Sequence, residues 1–596
     1  MALSTALLLL AVVALAQNSK VVATDRSEWI RFNPVTQLTA ASFAKPPVAD
    51  LPWVRMNIPA TANPAEIAAE VREMHETGIA GVEIGQGAFP NNDQLVALYT
   101  AANQLGIKVS LSHGPTQNLT GYSIDSDHAR KTLVFGRVSV DAGATFEGPV
   151  PAGTLTVVGR GGFGGAGGRG PAGGRAGTGA GGAGAAAGGR AGAGAPGGGF
   201  GGGRGGTQAT RTTLVAALAY RCTQTPCPAT GPAELDRASV VDLTSAVTGR
   251  NTAGVLGGTT AGSLRWTAPS SPVGAQWLVI TFWTRGAFAQ PDPFSEEGYQ
   301  ELLNSMETNF SSQIKELMKA NAGDLFYDSH SSDRGSPDEL WTNKMSEEFG
   351  KRRQYPLIPN LPALFREYFE FNDGSAARVR NDFYAVRGDI WIEKQIVPLR
   401  AWARKYNNLL RVQVEGEANL IIPITDMVLA TAAVDRPEHE NLFVGDEVDN
   451  YLPMASANHM TGNPWYSTEC CAVAGKSYAQ TFQDAVIHMH KSFAGGITKL
   501  VYHVYPYRDG ATWKWPGYHN FGQTGFSNAW GPRNPYWADA RLYNDFFARN
   551  QQVLTQGDAK TDVAVYMQNY LYPPSQVTKT RHWGDLKLQE AGYTRD

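Results

Sequence analysis

Between Asn63 and His113 the sequence runs twice from an amphipathic helix into a short apolar strand. Such alternation commits a chain to a parallel α/β sheet or barrel. Asn63-Pro64-Ala65-Glu66 supplies an N-cap, a proline at the first helical position and an acid at N3. Ile67, Val71 and Met74 then form one apolar face, Gly78 stops the helix, and the strand IAGVEI ends near Glu83. A second helix from Asp93 carries Leu95, Leu98, Ala102 and Leu105. Gly106 ends it, and IKVSLSH is the next strand.

The alternation returns after Pro293. Ser295 caps a helix with Tyr299, Leu302, Met306, Phe310 and Leu317 on one face, which Gly323 ends before the strand DLFYDS, leaving Asp328 at a strand end. A long helix holding Ile392, Ile396, Leu399, Trp402 and Tyr406, with a kink expected at Pro398, feeds the strand that ends at Glu415. A helix over Ser477 to Phe493 precedes the strand KLVYHVYPY, and the last repeat runs from the helix after Pro535 to DVAVY.

Between Thr132 and Trp283 there is no helical period. Short alternating runs such as LVFGRVSV, TLVAALAY, SLRWTA and QWLVITFW read as an inserted β-sandwich. Inside it, Gly159 to Gly206 is almost wholly Gly, Ala and Arg, too poor in apolar surface to repay ordering, and is expected as a disordered loop. At 596 residues the chain exceeds one ordinary core. The expected architecture is therefore α/β, an (α/β)8-type barrel built from 17–131 and 284–596, with the β-sandwich at 132–283 and its Gly-rich loop at 159–206 inserted.

LSTALLLLAVVALAQ fits the apolar core of a signal peptide over 1–16, cleaved before Gln17, and is too short for a convincing membrane span. Export also suits the Asn118 and Asn309 sequons and a Cys222–Cys227 bridge, whereas the adjacent Cys470 and Cys471 are expected to pack as small hydrophobes. A formal net charge of -3 provides no basic field for nucleic acid.

The stretch from Arg411 to Tyr507 places RVQVEGEA, NLFVGDEV, PWYSTECC and KLVYHVYPY in series as strands. Glu415 closes the first and Glu469 the third, with Glu438 and Glu440 in a PEHE turn between. Taken singly, each reads more readily as a solvated strand end or a salt-bridge partner. Together, at the strand ends of a barrel, they converge on one pocket, and two converged carboxylates are what cleaving a glycosidic bond requires. His503 and Tyr505 stand where a strand end meets sugar hydroxyls; Trp515, Trp530 and Arg533 either line a sugar-stacking cleft or pack as a lid.

WVRMNIP, GIAGVEI, DLFYDS followed by WT, EEFGKRRQYPLIPNLPAL, LRVQVEG, DRPEHE, ASANHMTG, YSTE, KLVYHVYPY and WGPRNPYWADARLYNDFFARNQQVLTQG resemble, in order, the landmarks of glycoside hydrolase family 106, the inverting α-L-rhamnosidases. The likeness covers most of Trp53 to Tyr566 apart from the Gly-rich insert. It implies a barrel with an embedded β-sandwich, hydrolysis of terminal α-L-rhamnosides with inversion, and a calcium ion in the sugar site. By this resemblance Glu469 is the general base, and Glu438 and Glu440 supply calcium ligation or catalytic support. Glu415 stands where the family often has a Tyr-Gly pair and is taken as substrate-binding. The family's general acid falls at Ser331, within Asp328-Ser329-His330-Ser331-Ser332-Asp333, so either Asp328, Asp333 or His330 substitutes, with Asp328 the expected catalytic group, or the chain hydrolyses slowly, uses a substrate with a better leaving group, or only binds. The alternatives are a carbohydrate-binding homologue that lost its acid, or an exo-glycosidase of another sugar specificity. LKLQEAGYTRD resembles an internal family segment, so truncation at the C-terminus is expected.

Overall fold

The computed structural model describes residues 32, 38–84, 89–112, 127–153, 212–228, 231–249, 262–270, 272–327, 339–415, 426–441, 448, 451–472, 478–507, 529–566 and 587–596. The expected signal peptide, the Gly-rich segment, Asp328, Ser331 and Trp515 lie outside them.

The barrel begins with β1 (Trp53–Met56), α1 (Pro64–Glu76), β2 (Gly81–Ile84), α2 (Asn92–Leu105) and β3 (Lys108–Ser112). Both helices start as their caps dictate. The Asn63 side chain accepts from the backbone of Ala65 and Glu66 while Glu66 reaches back to Asn63, and Asn91 and Gln94 do the same for α2. Ile67, Val71 and Met74 are fully buried. At Gly106 the backbone takes φ 74°, the left-handed turn that glycine allows without a Cβ penalty.

An all-β region follows, β4 (Ala129–Asp141), β5 (Thr145–Pro149), β6 (Thr212–Arg221), β7 (Ala233–Leu235), β8 (Val241–Asp242), β9 (Ser263–Thr267) and β10 (Gln276–Pro291). After it come α3 (Glu296–Asn309), α4 (Ser312–Asn321), β11 (Asp324–Tyr327), β12 (Glu339–Trp341) and β13 (Phe369–Phe371). β12, β4, β10, β6 and β8 form an antiparallel sheet in that order, and β5 pairs with β9 as a separate ribbon. The ribbon's Leu264, Phe146 and Trp266 pack on Val134, Trp277, Val279 and Trp283 of the sheet. Phe135 and Phe282, on the opposite face, meet Phe365. Cys222 and Cys227 are joined, as expected.

The chain then completes the barrel with α5 (Val397–Lys405), β14 (Leu409–Glu415), α6 (Met427–Ala432), β15 (Arg436–Asn441), α7 (Leu452–Thr461), β16 (Ser467–Cys470), α8 (Phe482–Ala494), β17 (Lys499–Tyr505) and α9 (Ala540–Leu554). Eight parallel strands close in the order β1-β17-β16-β15-β14-β11-β3-β2. No helix among the described residues is long and apolar enough to cross a membrane.

Several boundaries differ from the sequence reading. PEHE is not a turn but the body of β15, and NLFVGDEV begins where that strand ends. DVAVY does not close the barrel: β17 pairs with β1, and Val563 makes only an isolated bridge to Arg595. The helix expected from Ser295 to Gly323 is two, because the Ser311 hydroxyl accepts from the Ile314 N–H and starts a new one. α8 begins at Phe482 rather than Ser477, since Tyr478 holds φ 62° and Thr481 with Asp484 makes the capping box. Near Pro398 the ladder widens into a π turn over Ile392–Ile396, one way a helix accommodates a missing N–H. Cys470 and Cys471 form a disulfide rather than packing as free thiols.

Candidate active site

Alternation along each strand sends every second side chain into the bore. At its N-terminal end the Arg436 guanidinium lies 4.1 Å from the Trp465 ring centroid and 5.6 Å from that of Trp53. Lys499 is held there by Asp50 at 2.9 Å and the Ala49 carbonyl at 3.1 Å. Trp53 requires a glycine opposite, because a Cβ on Gly81 would sit 2.2 Å from its ring. These groups plug the floor, so access is from the C-terminal mouth, where barrel enzymes carry their chemistry.

Above the plug lies an ion-pair network with no solvent contact. Arg411 of β14 donates to Glu83 (2.5 Å), Asp324 (3.2 Å), Ser110 (3.0 Å) and the Glu438 carboxylate. Burial alone would lower its pKa, but the charges of Glu438, Asp324 and Glu83 outweigh that and hold the guanidinium protonated. Its carbon also lies 3.9 Å from the Phe326 ring centroid. Arg55 of β1 is the second cation, 2.6 Å from Glu83 and 2.6 Å from Glu469, with Glu438 at 3.8 Å.

Glu469 caps this network. Its Oε1 faces Arg55 Nη1 and, at 3.4 Å, His503 Nε2, while its Oε2 accepts from Gln413 Nε2 at 2.6 Å. The carboxylate is thus oriented by donors from β1, β14 and β17, and the ion pair with Arg55 is made by its charged form, the form a general base needs.

The residues singled out from sequence separate into groups. Glu469 and His503 meet at the upper bore. Glu438 lies below them and is spent on Arg411, on the Ser467 hydroxyl at 2.7 Å and on Gln413 at 3.5 Å. Glu440 shares the register position of Glu469, nearer the mouth. Glu415 ends β14 beside His439, and its side chain is outside the described residues. Tyr505 does not face the bore: its hydroxyl donates to Glu70 of α1 at 2.8 Å. The register between β1 and β17 slips between Val54 and Met56, so that Tyr502, His503 and Tyr505 do not follow strict alternation. Trp530 stacks on Tyr502, centroids 4.6 Å apart, and packs on Phe482 in the layer between barrel and helices. Arg533 is half-buried near the Tyr478 phenol. Arg55, Gln413 and Arg411 were missed, although the period-two pattern of WVRM and LRVQVE places them on the face opposite Val54, Val412 and Val414.

Of the two expected calcium ligands, Glu438 does not fit the ion, because its carboxylate already faces two guanidiniums that would repel a divalent cation. Glu440 lies nearer the mouth, and among the described residues no group of three or more His, Cys, Asp or Glu is placed to hold a metal ion.

The fold is thus a closed parallel barrel with a plugged N-terminal end and, toward the C-terminal ends of its strands, a carboxylate held by donors from three of them. The family model of glycoside hydrolase family 106, described as α-L-rhamnosidase, matches residues 209–581, and the chain belongs to that family. Among solved structures it is similar to a rhamnosidase from Novosphingobium sp. PP1Y, at 14% identity and a TM-score of 0.63, covering 92% of this chain and 63% of that one. At that identity the likeness speaks for the fold, and the chain spans 63% of that protein's length. Comparison with curated proteins finds no match.

Proposed function

We propose that the chain hydrolyses terminal α-L-rhamnosides with inversion, with Glu469 as the general base. The observation that carries this is the fixing of Glu469 by Arg55, Gln413 and His503 toward the C-terminal end of the bore. In an inverting site such a carboxylate takes a proton from water as the water attacks the anomeric carbon, while a second carboxyl about 6.5–9.5 Å away protonates the leaving oxygen. The resemblance assigns that acid to the segment from Asp328 to Asp333, with Asp328 the group available in place of Ser331.

The test is an aryl α-L-rhamnoside assay with NMR observation of the first sugar released. The β-anomer is expected first, and Glu469→Gln should reduce kcat by roughly 10²- to 10⁴-fold in protein that is still folded at the assay temperature, although losing the Arg55 ion pair should also lower its melting temperature. Release of the α-anomer, or full activity in Glu469→Gln, would sink the assignment. The serine at position 331 favours a second reading, a sugar-binding homologue lacking its acid. That reading gains if rhamnosides bind without turnover and Ser331→Glu restores hydrolysis of poor leaving groups. Export is part of the proposal, and a mature protein starting at Gln17 in the culture medium would support it. A cell-retained protein still carrying Met1 would remove it.

A further inference from the structure

Two buried polar side chains near the mouth have no hydrogen-bond partner among the described residues. Asn57 is 2% exposed, and both its amide nitrogen and its amide oxygen are unmatched; Ser112 is 1% exposed, with its hydroxyl unmatched. A buried donor or acceptor left alone costs about 1–3 kcal/mol, so native proteins keep such groups chiefly where something else satisfies them.

Their placement follows from the strands. Arg55 points into the bore, since it reaches Glu83 and Glu469, and Asn57, two residues on, falls on the same side, about 6.6 Å nearer the mouth. Met56 still pairs with Tyr505, so β1 holds its place in the barrel up to the residue before Asn57. Ser110 likewise points inward to Arg411, which puts Ser112 on the bore side at the end of β3, opposite Phe326 in register. Both groups thus rise above the charged network, on the β1–β3 side. Gln413 and Glu469, which are in direct contact, stand on the β14–β16 side.

We infer that Asn57 and Ser112 recognise hydroxyl groups of the sugar bound over Glu469, and that they select a neutral sugar. This rests on the proposed glycosidase reading of the site. An amide with one donor end and one acceptor end, together with a hydroxyl, matches the alternating donor and acceptor capacity of a polyol. A uronate or sulfated sugar would need a cation. The two arginines of the bore are already occupied by Glu83, Asp324, Glu438 and Glu469.

The experiment uses the full chain, Asn57→Ala and Ser112→Ala, and aryl α-L-rhamnosides lacking the 2-, 3- or 4-hydroxyl in turn. Each wild-type contact should make one deoxy substrate roughly five- to a hundredfold poorer in kcat/KM. In the matching variant that one ratio should collapse toward unity while the ratios for the other deoxy substrates persist. A general packing defect would lower all substrates together. Unchanged ratios in both variants, with wild-type turnover intact, would overturn the inference and leave the glycosidase reading standing. Should the wild type bind L-rhamnose without turnover, loss of that binding in Asn57→Ala supports the inference equally. A wild type that neither turns over nor binds any sugar would sink the glycosidase reading and the inference with it, and preferred binding of an aryl uronide would overturn the neutral-sugar part.

Discussion

Glu438 and Glu440 share one face of β15, two residues apart, yet keep different company. Glu438 accepts from Arg411 and Ser467 with no solvent contact, so it holds two cations in place rather than offering itself to a ligand. Breaking a buried ion pair by removing one partner leaves a charge uncompensated, at about 3–5 kcal/mol. Glu438→Gln should come near the low end, about 3 kcal/mol, because Asp324 and Glu83 still accept from Arg411. Chemical denaturation would show it, with or without added metal. If the calcium expected from the family sits near the mouth, Glu440 is the member of the pair to hold it. Saturating calcium at about a hundred times its Kd should then raise wild-type stability by about 2.7 kcal/mol, and Glu440→Gln alone should lose that gain. A chelated wild-type protein with unaltered melting and unaltered sugar binding would remove calcium from the account.

At the level of elements, α1 was legible because its signal is local: Asn63 with Glu66 determines its start within four residues, whereas α2 was read from its apolar face, beginning at Asp93, and its Asn91–Gln94 box was passed over. β15 was misread for the opposite reason. Glu and His disfavour strands on their own, and only pairing across the barrel with Arg411, from another strand, makes RPEHEN a buried one. The aromatic residues carry a similar ambiguity, since nothing local tells whether Tyr505 or Trp530 faces the bore or the helices. The junction between β10 and α3 adds a pH dependence that sequence did not suggest. Asp292 is 1% exposed and accepts from the Phe294 N–H at 3.0 Å. Burial lifts its pKa from 3.8 to about 6 against the opposing pull of that N–H, Lys131, Thr342 and Arg130. The folded state therefore binds a proton more tightly than the unfolded one. This contribution is fully present below about pH 4 and is lost as pH rises through about 6, above which the fold is less stable, by a constant of about 3 kcal/mol in all, than with the carboxyl protonated. Asp292→Asn should be more stable than wild type at pH 7, with the difference shrinking toward pH 4. A difference between the two proteins that is flat across that range would count against the shifted Asp292.

Across the whole molecule, the chain passes from the barrel into the antiparallel sheet between β3 and β4 and returns between β10 and α3, while the Gly-rich stretch falls between β5 and β6. Its residues lie outside those described, so the expectation for it stands on composition. Gly, Ala and Arg carry too little apolar surface to offset the backbone entropy of ordering, about 1–2 kcal/mol per residue. On this expectation the stretch acts on stability only through the length of the loop it adds between two strands already fixed in the folded state. Deleting 159–206 shortens that connection roughly fourfold, or about two doublings, and closing a shorter loop should favour folding by about 1 kcal/mol. The deleted protein should therefore melt at the wild-type temperature or slightly above it, with kcat/KM on an aryl rhamnoside unchanged, because the residues that fix Glu469 come from β1, β14 and β17. A fall of many degrees would mean that the segment packs on the sheet. Lost activity at unchanged melting temperature would mean instead that its arginines reach the substrate.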